Sequence, residues 1–365
     1  MNAAAKNYDG VNKYIRITDI DEASSTYTDK DIVSPDGVLT DNYLVNNRDI
    51  LLARTGASTG KSYLYKKSDG KLYYAGFLIR ANVTTHDPYF VFSQLHTHRY
   101  WRWVSIMSAR SGQPGINSQE YSSFPIYTTS IEEENKIAKL LSLLDERIAT
   151  QNKIIEDLKK LKSAISKLLF TRKDLLETTI RLADIATLKN GYAFQSSKYN
   201  ILGKWKIITI ANVSGRRYIN EEDCNCIINL PNDIQDHQVL KEGDILISLT
   251  GNVGRVSLCK SGAYLLNQRV GLLQIEGNID KEFLYQVLSS RRFENSMVAC
   301  GQGAAQMNIG KGDVENFVLP YSSNANNIHL VARILHSYDE CIINELRELT
   351  LLTMQKQYFL AQMFI

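Results

Sequence analysis

Apolar residues recur at alternating spacings of four and three in two segments, one near the middle of the chain and one beyond residue 330. A mean spacing of 3.5 residues keeps one apolar stripe facing a partner helix over many turns. The pattern therefore predicts two long helices that pair with each other as a coiled coil. The predicted seam comprises Ile137, Leu141, Leu144, Ile148, Ile155 and Leu158 in the first helix and Val331, Leu335, Tyr338, Ile342, Leu349 and Leu352 in the second.

Polar residues interrupt both seams at equivalent places. Gln151 and Lys162 interrupt the first seam, and Glu345 and Lys356 interrupt the second. A polar residue inside such a seam lowers stability and can fix the register or the orientation of the helices. Solvated helix ends, or contact with another protein, are the alternative explanation.

Short runs rich in Ile, Val, Tyr and Thr precede each helical segment and are separated by Gly, Asn and Asp turns. This composition is typical of strands in a compact, mostly β domain. The runs in the first half are Tyr14 to Ile17, Asp49 to Ala53, Ser62 to Tyr65 and Phe77 to Ala81. Those in the second half are Ile207 to Ile210, Asp244 to Leu249, Arg255 to Leu258 and Val270 to Ile275.

The two halves are copies of one pattern. Ile137-Ala138 recurs as Val331-Ala332, and Asp145 recurs as Asp339 at the same offset without a gap. Such a repeat fixes the architecture before any single motif is considered. We therefore predict an α+β fold of two tandem mixed, mostly β domains, each followed by a long helix. The expected boundaries are 1–129 and 176–323 for the β domains and 130–175 and 324–365 for the helices.

A Thr-Gly loop follows a predicted strand in each half. It lacks the Gly-x-x-x-x-Gly-Lys-Ser/Thr spacing of a nucleotide-binding loop, but its backbone amides and a cation could meet a DNA phosphate. A hairpin whose glycines supply positive φ is the alternative. The candidate DNA contacts here are Arg54, Thr55, Ser58 and Lys61 in the first half and Thr250, Asn252 and Arg255 in the second.

A second loop, rich in amides, lies near the end of each β half, at residues 111–117 and 301–308. Gln and Asn pair with adenine edges, while Arg and Lys reach guanine or phosphate. The same residue types also form ordinary turns and solvated faces. The candidates are Arg110, Gln113 and Asn117 in the first half, Gln302, Gln306, Asn308 and Lys311 in the second, and Arg80, Arg216, Arg217, Gln268 and Arg269 beside predicted strands.

Composition narrows the class of protein only modestly. Apolar residues make up 44% and charged residues 22% of the chain, and five scattered cysteines favour a reducing cytoplasm. The net charge is only +3, so a nucleic-acid surface has to come from local clustering of cations.

The motifs of catalytic and metal sites are incomplete. Asp87-Pro88-Tyr89-Phe90 lacks the second proline of an adenine methyltransferase motif and is better explained as a capped helix start. Cys224-x-Cys226 and His96-x-His98 have no further ligands at zinc-site spacing. We therefore expect a chain without a catalytic site, a metal or a cofactor of its own.

Short motifs occur in the same order in both halves. In the first they are Ile116-Asn117, Phe124-Pro125-Ile126, Glu134 to Ala138, Leu144-Asp145, Ile148 and Leu168-Leu169-Phe170. In the second they are Met307-Asn308-Ile309, Phe317 to Pro320, Val331-Ala332, Tyr338-Asp339 and Met363-Phe364, after an opening element at Arg181 to Ala186 and Gly191 to Phe194. This order, which covers nearly the whole chain, resembles the type I restriction-modification specificity subunits.

The resemblance implies two target recognition domains whose following helices pack antiparallel as a ruler. It also implies a non-catalytic chain that reads a bipartite, asymmetric site on double-stranded DNA. Two modification subunits would bring S-adenosylmethionine and methylate adenine, and a restriction subunit would be a further partner. The first domain lacks the opening element seen at Arg181 to Phe194, so we expect it to be shortened.

Two other classes of protein fit the same pattern. One is a free-standing, sequence-specific DNA-binding regulator or decoy. The other is a coiled-coil adaptor whose β domains bind protein. Tight, salt-sensitive binding of DNA by the isolated chain would favour the first, and absence of any DNA footprint would favour the second.

Overall fold

The computed structural model describes residues 1–109, 113–301 and 307–364. It divides into two compact units, Met1–Ile154 with Glu345–Ile365, and Ile155–Asn344. Each unit contains one mostly β domain together with one half of each long helix. This division differs from the four segments expected from the sequence, because each helix packs on different residues in its two halves.

The first unit is built around a three-stranded antiparallel sheet, with a parallel strand pair and an antiparallel pair beside it. Its strands are β1 (Ala4–Asn7), β2 (Lys13–Ile15), β3 (Val33–Asp36), β4 (Asp49–Ala53), β5 (Ser62–Leu64), β6 (Leu72–Tyr74) and β7 (Leu78–Asn82). Its helices are α1 (Pro88–Gln94), α2 (His98–Ser108), α3 (Ser118–Ser122) and part of α4 (Ile131–Thr171). The sheet order is β5-β4-β7, and the pairs are β2-β6 and β1-β3.

Strand β4 is apolar at successive positions because both of its faces are covered. Ile50 belongs to a core cluster with Phe92 and Tyr100 from the helices. Leu51 belongs to a different cluster that includes Tyr63. A strand buried on both faces reads as a continuous apolar run, and this is why it is recognisable in the sequence.

The second unit repeats the three-stranded sheet and the parallel strand pair and adds several strands. Its strands are β8 (Thr178–Arg181), β9 (Ala186–Asn190), β10 (Trp205–Ile208), β11 (Cys226–Ile227), β12 (Val239–Leu240), β13 (Ile245–Ser248), β14 (Val256–Leu258), β15 (Tyr264–Leu266), β16 (Val270–Ile275) and β17 (Val318–Tyr321). Its helices are α5 (Lys281–Leu288), α6 (Arg291–Cys300), α7 (Lys311–Glu315) and part of α8 (Ala325–Met363). The sheet orders are β14-β13-β16-β9, β11-β10-β15-β12 and β17-β8.

The repeat predicted from the sequence is confirmed at the level of topology. The sheet β5-β4-β7 corresponds to β14-β13-β16, and the parallel pair β2-β6 corresponds to β10-β15. Helices α1 to α3 follow the first sheet in the order in which α5 to α7 follow the second. Strands β8 and β9 have no counterpart among the described residues of the first unit.

Within each unit the long helices pair in opposite directions. In the first unit, Leu141 near the start of α4 shares a cluster with Leu360 near the end of α8. In the second unit, Leu169 near the end of α4 shares a cluster with Val331 near the start of α8. The predicted antiparallel coiled coil is therefore confirmed. All twelve predicted seam residues are buried or half-buried.

The polar interruptions of the seam find partners on the opposite helix. Gln151 is fully buried and its amide donates to the Glu345 side chain. Lys356 Nζ lies 2.5 Å from an oxygen of Asp145, and Lys162 makes the equivalent contact with Asp339, also at 2.5 Å. These contacts support the interpretation that the polar seam residues fix the register of the helices.

The described helices include none with a stretch long and apolar enough to span a lipid bilayer.

Candidate nucleic-acid interface

Three loops of the first domain are joined by backbone hydrogen bonds at one end of β4. The Arg54 N–H donates to the Phe77 carbonyl at 3.1 Å, and the Gly56 N–H donates to the Pro114 carbonyl at 2.9 Å. The Ile116 N–H donates in turn to the Arg54 carbonyl at 2.9 Å. Residues distant in sequence therefore form one surface. Its parts are the Thr-Gly loop (54–61), the turn before β7 (75–77) and the loop before α3 (113–117).

The second domain repeats this arrangement around Leu249. The Leu249 N–H donates to the Arg269 carbonyl at 3.0 Å, and its carbonyl accepts from the Ile309 N–H at 2.9 Å. The Gly251 N–H donates to the Met307 carbonyl at 2.9 Å. The corresponding loops are the second Thr-Gly loop (250–255), the turn before β16 (267–269) and the loop before α7 (307–310).

Two buried tyrosines hold the end of the first Thr-Gly loop. The Tyr121 hydroxyl accepts from the Gly60 N–H at 3.1 Å and donates to the Ala53 carbonyl at 2.5 Å. The Tyr100 hydroxyl donates to the Gly60 carbonyl at 2.8 Å. Burial raises the pKa of Tyr121 to about 12, so the hydroxyl keeps the proton that it donates to the Ala53 carbonyl well above neutral pH.

Glycine is required at the end of each Thr-Gly loop. Gly60 has a φ of +95°, and a Cβ there would lie 2.8 Å from Val104. Gly254 has a φ of +75°, and its Cβ would lie 2.7 Å from Met297. The alternative derived from the sequence, that these glycines supply positive φ to a hairpin, is therefore confirmed. It does not exclude a role for the loop in binding, because the same conformation fixes where the loop side chains project.

Polar side chains project from both three-loop surfaces. The surfaces bring together Arg54, Thr55, Ser58, Gln113 and Asn117 in the first domain and Asn252, Arg255, Gln268, Arg269 and Asn308 in the second. Thr250 lies in the second Thr-Gly loop but its hydroxyl oxygen is buried, and Lys311 is the first residue of α7. Arg54, Gln113, Asn252, Gln268, Arg269, Asn308 and Lys311 are exposed, and the others are half-buried. Exposed amides and guanidinium groups of this kind can contact base edges and phosphates.

Arg217 is not part of these surfaces. Its guanidinium side chain is only 8% exposed and lies 2.6 Å from Glu282 and 3.1 Å from Asp339. The neighbouring Arg216 is exposed. The sequence analysis predicted that both arginines contact DNA. In the structure Arg217 points inwards, where two carboxylates compensate its charge.

Several other predicted contacts have protein partners. Arg80 donates to the Leu44 carbonyl at 2.9 Å, and Lys61 pairs with Glu22 at 3.2 Å. Arg255 and Lys311 lie in looser pairs, 3.8 Å from Glu294 and 3.6 Å from Glu315. Arg110, Gln302 and Gln306 lie outside the described residues.

Asn117 caps a helix, and this changes the alignment of the two amide-rich loops. The Asn117 side chain accepts from the Glu120 N–H, whereas Gly310 is the equivalent cap of α7. Asn308 instead pairs with Thr250, as Gly115 pairs with Thr55. Asn308 therefore corresponds to Gly115, and not to Asn117 as the sequence order suggests.

Two exposed aromatic residues beside the first surface were missed by the sequence analysis. Phe77 lies in the turn before β7, and its backbone carbonyl accepts a hydrogen bond from the Arg54 N–H. Trp101 of α2 lies so close to Gly60 that a Cβ at that glycine would be 3.0 Å from the indole ring. No sequence signal distinguished them from core aromatics, because the exposure of Trp101 depends on which face of α2 packs on the sheet and that of Phe77 on its place in a turn before β7.

The motifs weighed as catalytic or metal-binding have other roles. Asp87 caps α1, accepting from the N–H groups of Tyr89 and Phe90 at 2.9 Å each, as the capped helix start predicted. His96 is half-buried, and its ring nitrogens lie 3.0 Å from the Phe92 carbonyl and from Ser25. Within 1–109, 113–301 and 307–364, no group of three His, Cys, Asp or Glu residues could hold a metal.

Comparison with known proteins places both halves of the chain in one family. The model of the type I restriction modification DNA specificity domain matches residues 1–160 and 177–353. The type I restriction enzyme MjaVIII specificity subunit of Methanocaldococcus jannaschii is 27% identical over 302 residues, which are 76% of this chain and 69% of that protein. The putative MjaX specificity subunit of the same organism is 24% identical over 261 residues, covering 67% and 59%.

Solved structures share the fold. The S subunit of a type I restriction-modification system from M. genitalium has a TM-score of 0.61 at 17% identity, covering 98% of this chain and 89% of that one. A chain from a structure concerned with complex assembly and conformational transition of the type I system has a TM-score of 0.57 at 17% identity, covering 96% and 90%. Since the family model matches most of both halves, this chain belongs to the type I restriction-modification DNA specificity family.

Proposed function

We propose that this chain is the non-catalytic subunit that reads a bipartite, asymmetric DNA site and directs partner subunits to methylate adenine and to restrict. The observation that carries the proposal is the duplication of the three-loop surface. Each domain presents exposed amides and cations from loops joined by the same backbone hydrogen bonds. Two copies that differ in side chains suit the reading of two different half-sites.

The side chains of the two surfaces suggest how bases are read. Gln113 in the first domain and Asn252 and Asn308 in the second are amides that can pair with adenine in the major groove. Arg54 and Arg269 can pair with guanine or neutralise a phosphate. Because the two domains carry different residues at equivalent loop positions, they are expected to prefer different base sequences.

The long helices supply a surface for the modification subunits. Apolar side chains are exposed on the half of the helix pair in the first unit, and exposed apolar clusters commonly mark protein interfaces. They are Leu140 and Leu143 on α4 and Leu351, Met354 and Tyr358 on α8. We propose that two modification subunits, which carry S-adenosylmethionine, dock on the helices, with a restriction subunit as a further partner.

Exchange of the second domain tests this function. Residues 181–323 are replaced by those of a relative, and the methylome of cells that express the chain with its modification partner is sequenced. We expect one half of the methylated sequence to change and the other half to be retained. A change in both halves, or in neither, would contradict modular reading by two domains.

A further inference from the structure

A tight turn just before β7 forms part of the three-loop surface of the first domain. The Leu78 N–H donates to the Ala75 carbonyl at 2.9 Å, and this bond closes a four-residue turn over residues 75–78. The carbonyl of Phe77, the third residue of the turn, accepts from the Arg54 N–H at 3.1 Å. Because both bonds are made by the backbone, the fold fixes the place from which the Phe77 side chain projects.

The second domain builds the same turn with different side chains. The Val270 N–H donates to the Asn267 carbonyl at 2.9 Å, and the Arg269 carbonyl accepts from the Leu249 N–H at 3.0 Å. Arg269 therefore holds the position that Phe77 holds in the first domain. Equivalent points of the two surfaces carry a cation in one copy and a phenyl ring in the other.

The phenyl ring at this point has little contact with the rest of the first domain. Phe77 is 64% exposed and belongs to neither of the apolar clusters that contain residues of β4. Arg269 is also exposed, although β9 pairs with β16 from Gly271 onwards. Exposure is thus a property of the turn and is compatible with a paired strand beside it. A phenyl ring in such a place gains free energy when a complex removes it from water.

The chemistry of the surrounding surface indicates what the ring contacts. Arg54 and Gln113, which are exposed on the other two loops, suit the donors and acceptors of the major groove. The apolar group that a base edge presents in that groove is the C5 methyl of thymine. We propose that Phe77 reads a thymine of the first half-site by apolar contact with this methyl group. The inference rests on the proposed reading of DNA and adds a base to it.

Insertion of the ring between two base pairs is the alternative way for an exposed aromatic residue to contact DNA. Insertion requires a base step to be unstacked, and proteins that use it approach from the minor groove. The amide and the guanidinium of this surface instead match the major groove, where the pattern of donors and acceptors distinguishes all base pairs. The two modes of contact also respond differently to loss of the thymine methyl group.

Deoxyuridine, which differs from thymidine only in lacking the C5 methyl, tests the contact. The first half-site is the half of the methylated sequence that is retained when residues 181–323 are exchanged. Each thymine of that half, on either strand, is replaced singly by deoxyuridine. Binding of the chain with its modification subunits is then measured by fluorescence anisotropy. We expect a replacement to weaken binding about threefold to tenfold, as expected for loss of one buried methyl group.

Two substitutions at one position show whether the phenyl ring is responsible. Phe77→Ser removes the apolar side chain and should bind thymine-containing and uracil-containing DNA equally. Phe77→Leu keeps an apolar side chain at the same place and should retain the preference for thymine. Both variants should be nearly as stable as the parent, because Phe77 is exposed.

The outcomes separate this inference from the proposed function. Specific binding that responds to none of the replacements, or an equal response in Phe77→Ser, would overturn the inference alone. Weaker binding by Phe77→Ser without any response to uracil would indicate insertion of the ring and would also overturn it. Absence of sequence-specific binding by the parent complex would overturn the proposed function and the inference with it.

Discussion

Arg217 illustrates how a single residue acquires a structural role. Its guanidinium contacts Glu282 and Asp339, and Asp339 also accepts from Gln286 and Lys162. Burial works against ionisation of Glu282, but hydrogen bonds from Arg217 and Gln286 outweigh it, and its pKa falls below the usual value. Burial lowers the pKa of Lys162, and Asp339 opposes that shift. The ionisation of Glu282 therefore depends on Arg217, and that of Lys162 depends on Asp339.

We predict that Arg217→Leu lowers the free energy of unfolding by about 3 kcal/mol, because it removes the guanidinium from the half-buried Glu282 and leaves the buried Asp339 with Lys162 as its cation. Urea denaturation followed by circular dichroism measures the change. Arg216→Leu is the matched control, since Arg216 is exposed, and it should stay within about 0.5 kcal/mol of the parent. Equal stability of the two variants would show that the Arg217 network contributes little.

At the scale of elements, two reciprocal ion pairs between α4 and α8 favour one register of the helix pair. Lys356 of α8 contacts Asp145 of α4, and Lys162 of α4 contacts Asp339 of α8. Both pairs interrupt the apolar seam, as Gln151 and Glu345 also do, and a wrong register would leave a lysine without a carboxylate. Antiparallel pairing in this register is thus favoured by charge as well as by apolar contact.

We predict that Lys356→Glu destabilises the helix pair by about 1–2 kcal/mol, since two carboxylates would then face each other. The value lies below that of a fully buried pair because Asp145 is partly exposed. The double variant with Asp145→Lys should recover part of the loss, as a double-mutant cycle by urea denaturation would measure.

Recovery is expected to be incomplete, because Asp145 also accepts from the Tyr89 hydroxyl. Lys153→Glu is the control for the change of charge, since Lys153 is exposed on α4, the helix that carries Asp145. Additive effects in the double variant would contradict a direct contribution of this pair to register.

At the scale of the whole molecule, the chain is expected to work only with its partners. Its small net charge of +3 limits the affinity that phosphate contacts of this chain alone can give. The exposed apolar residues of the helices, among them Met354 and Tyr358, are suited to contact with a protein partner. Assembly and DNA reading should therefore be separable by mutation.

We predict that Met354→Glu combined with Tyr358→Glu weakens assembly with the modification subunit at least about tenfold, because burying two carboxylates in an apolar interface is unfavourable. Size-exclusion chromatography with light scattering measures the complex. The free energy of unfolding should change little, as both side chains are exposed. Gln357→Glu, an exposed neighbour, is the control. Unchanged assembly would remove these residues from the proposed docking surface.

The sequence by itself determined the order of elements, the duplication and the helix pair. The spacing of Leu141, Leu144 and Ile148 is a local property, and it specifies a seam whatever the rest of the chain does. Buried strands such as β4 and β13 were readable for the same reason, because continuous apolar runs record burial on both faces. The glycines of the Thr-Gly loops also marked their turns correctly.

Only the tertiary structure decided which polar residues reach the surface. Arg216 and Arg217 are adjacent and chemically identical, yet Arg217 is buried because Glu282 and Asp339, distant in sequence, converge on it. Local spacing encodes helices and strands, whereas burial, charge compensation and strand pairing depend on contacts between residues far apart in the chain.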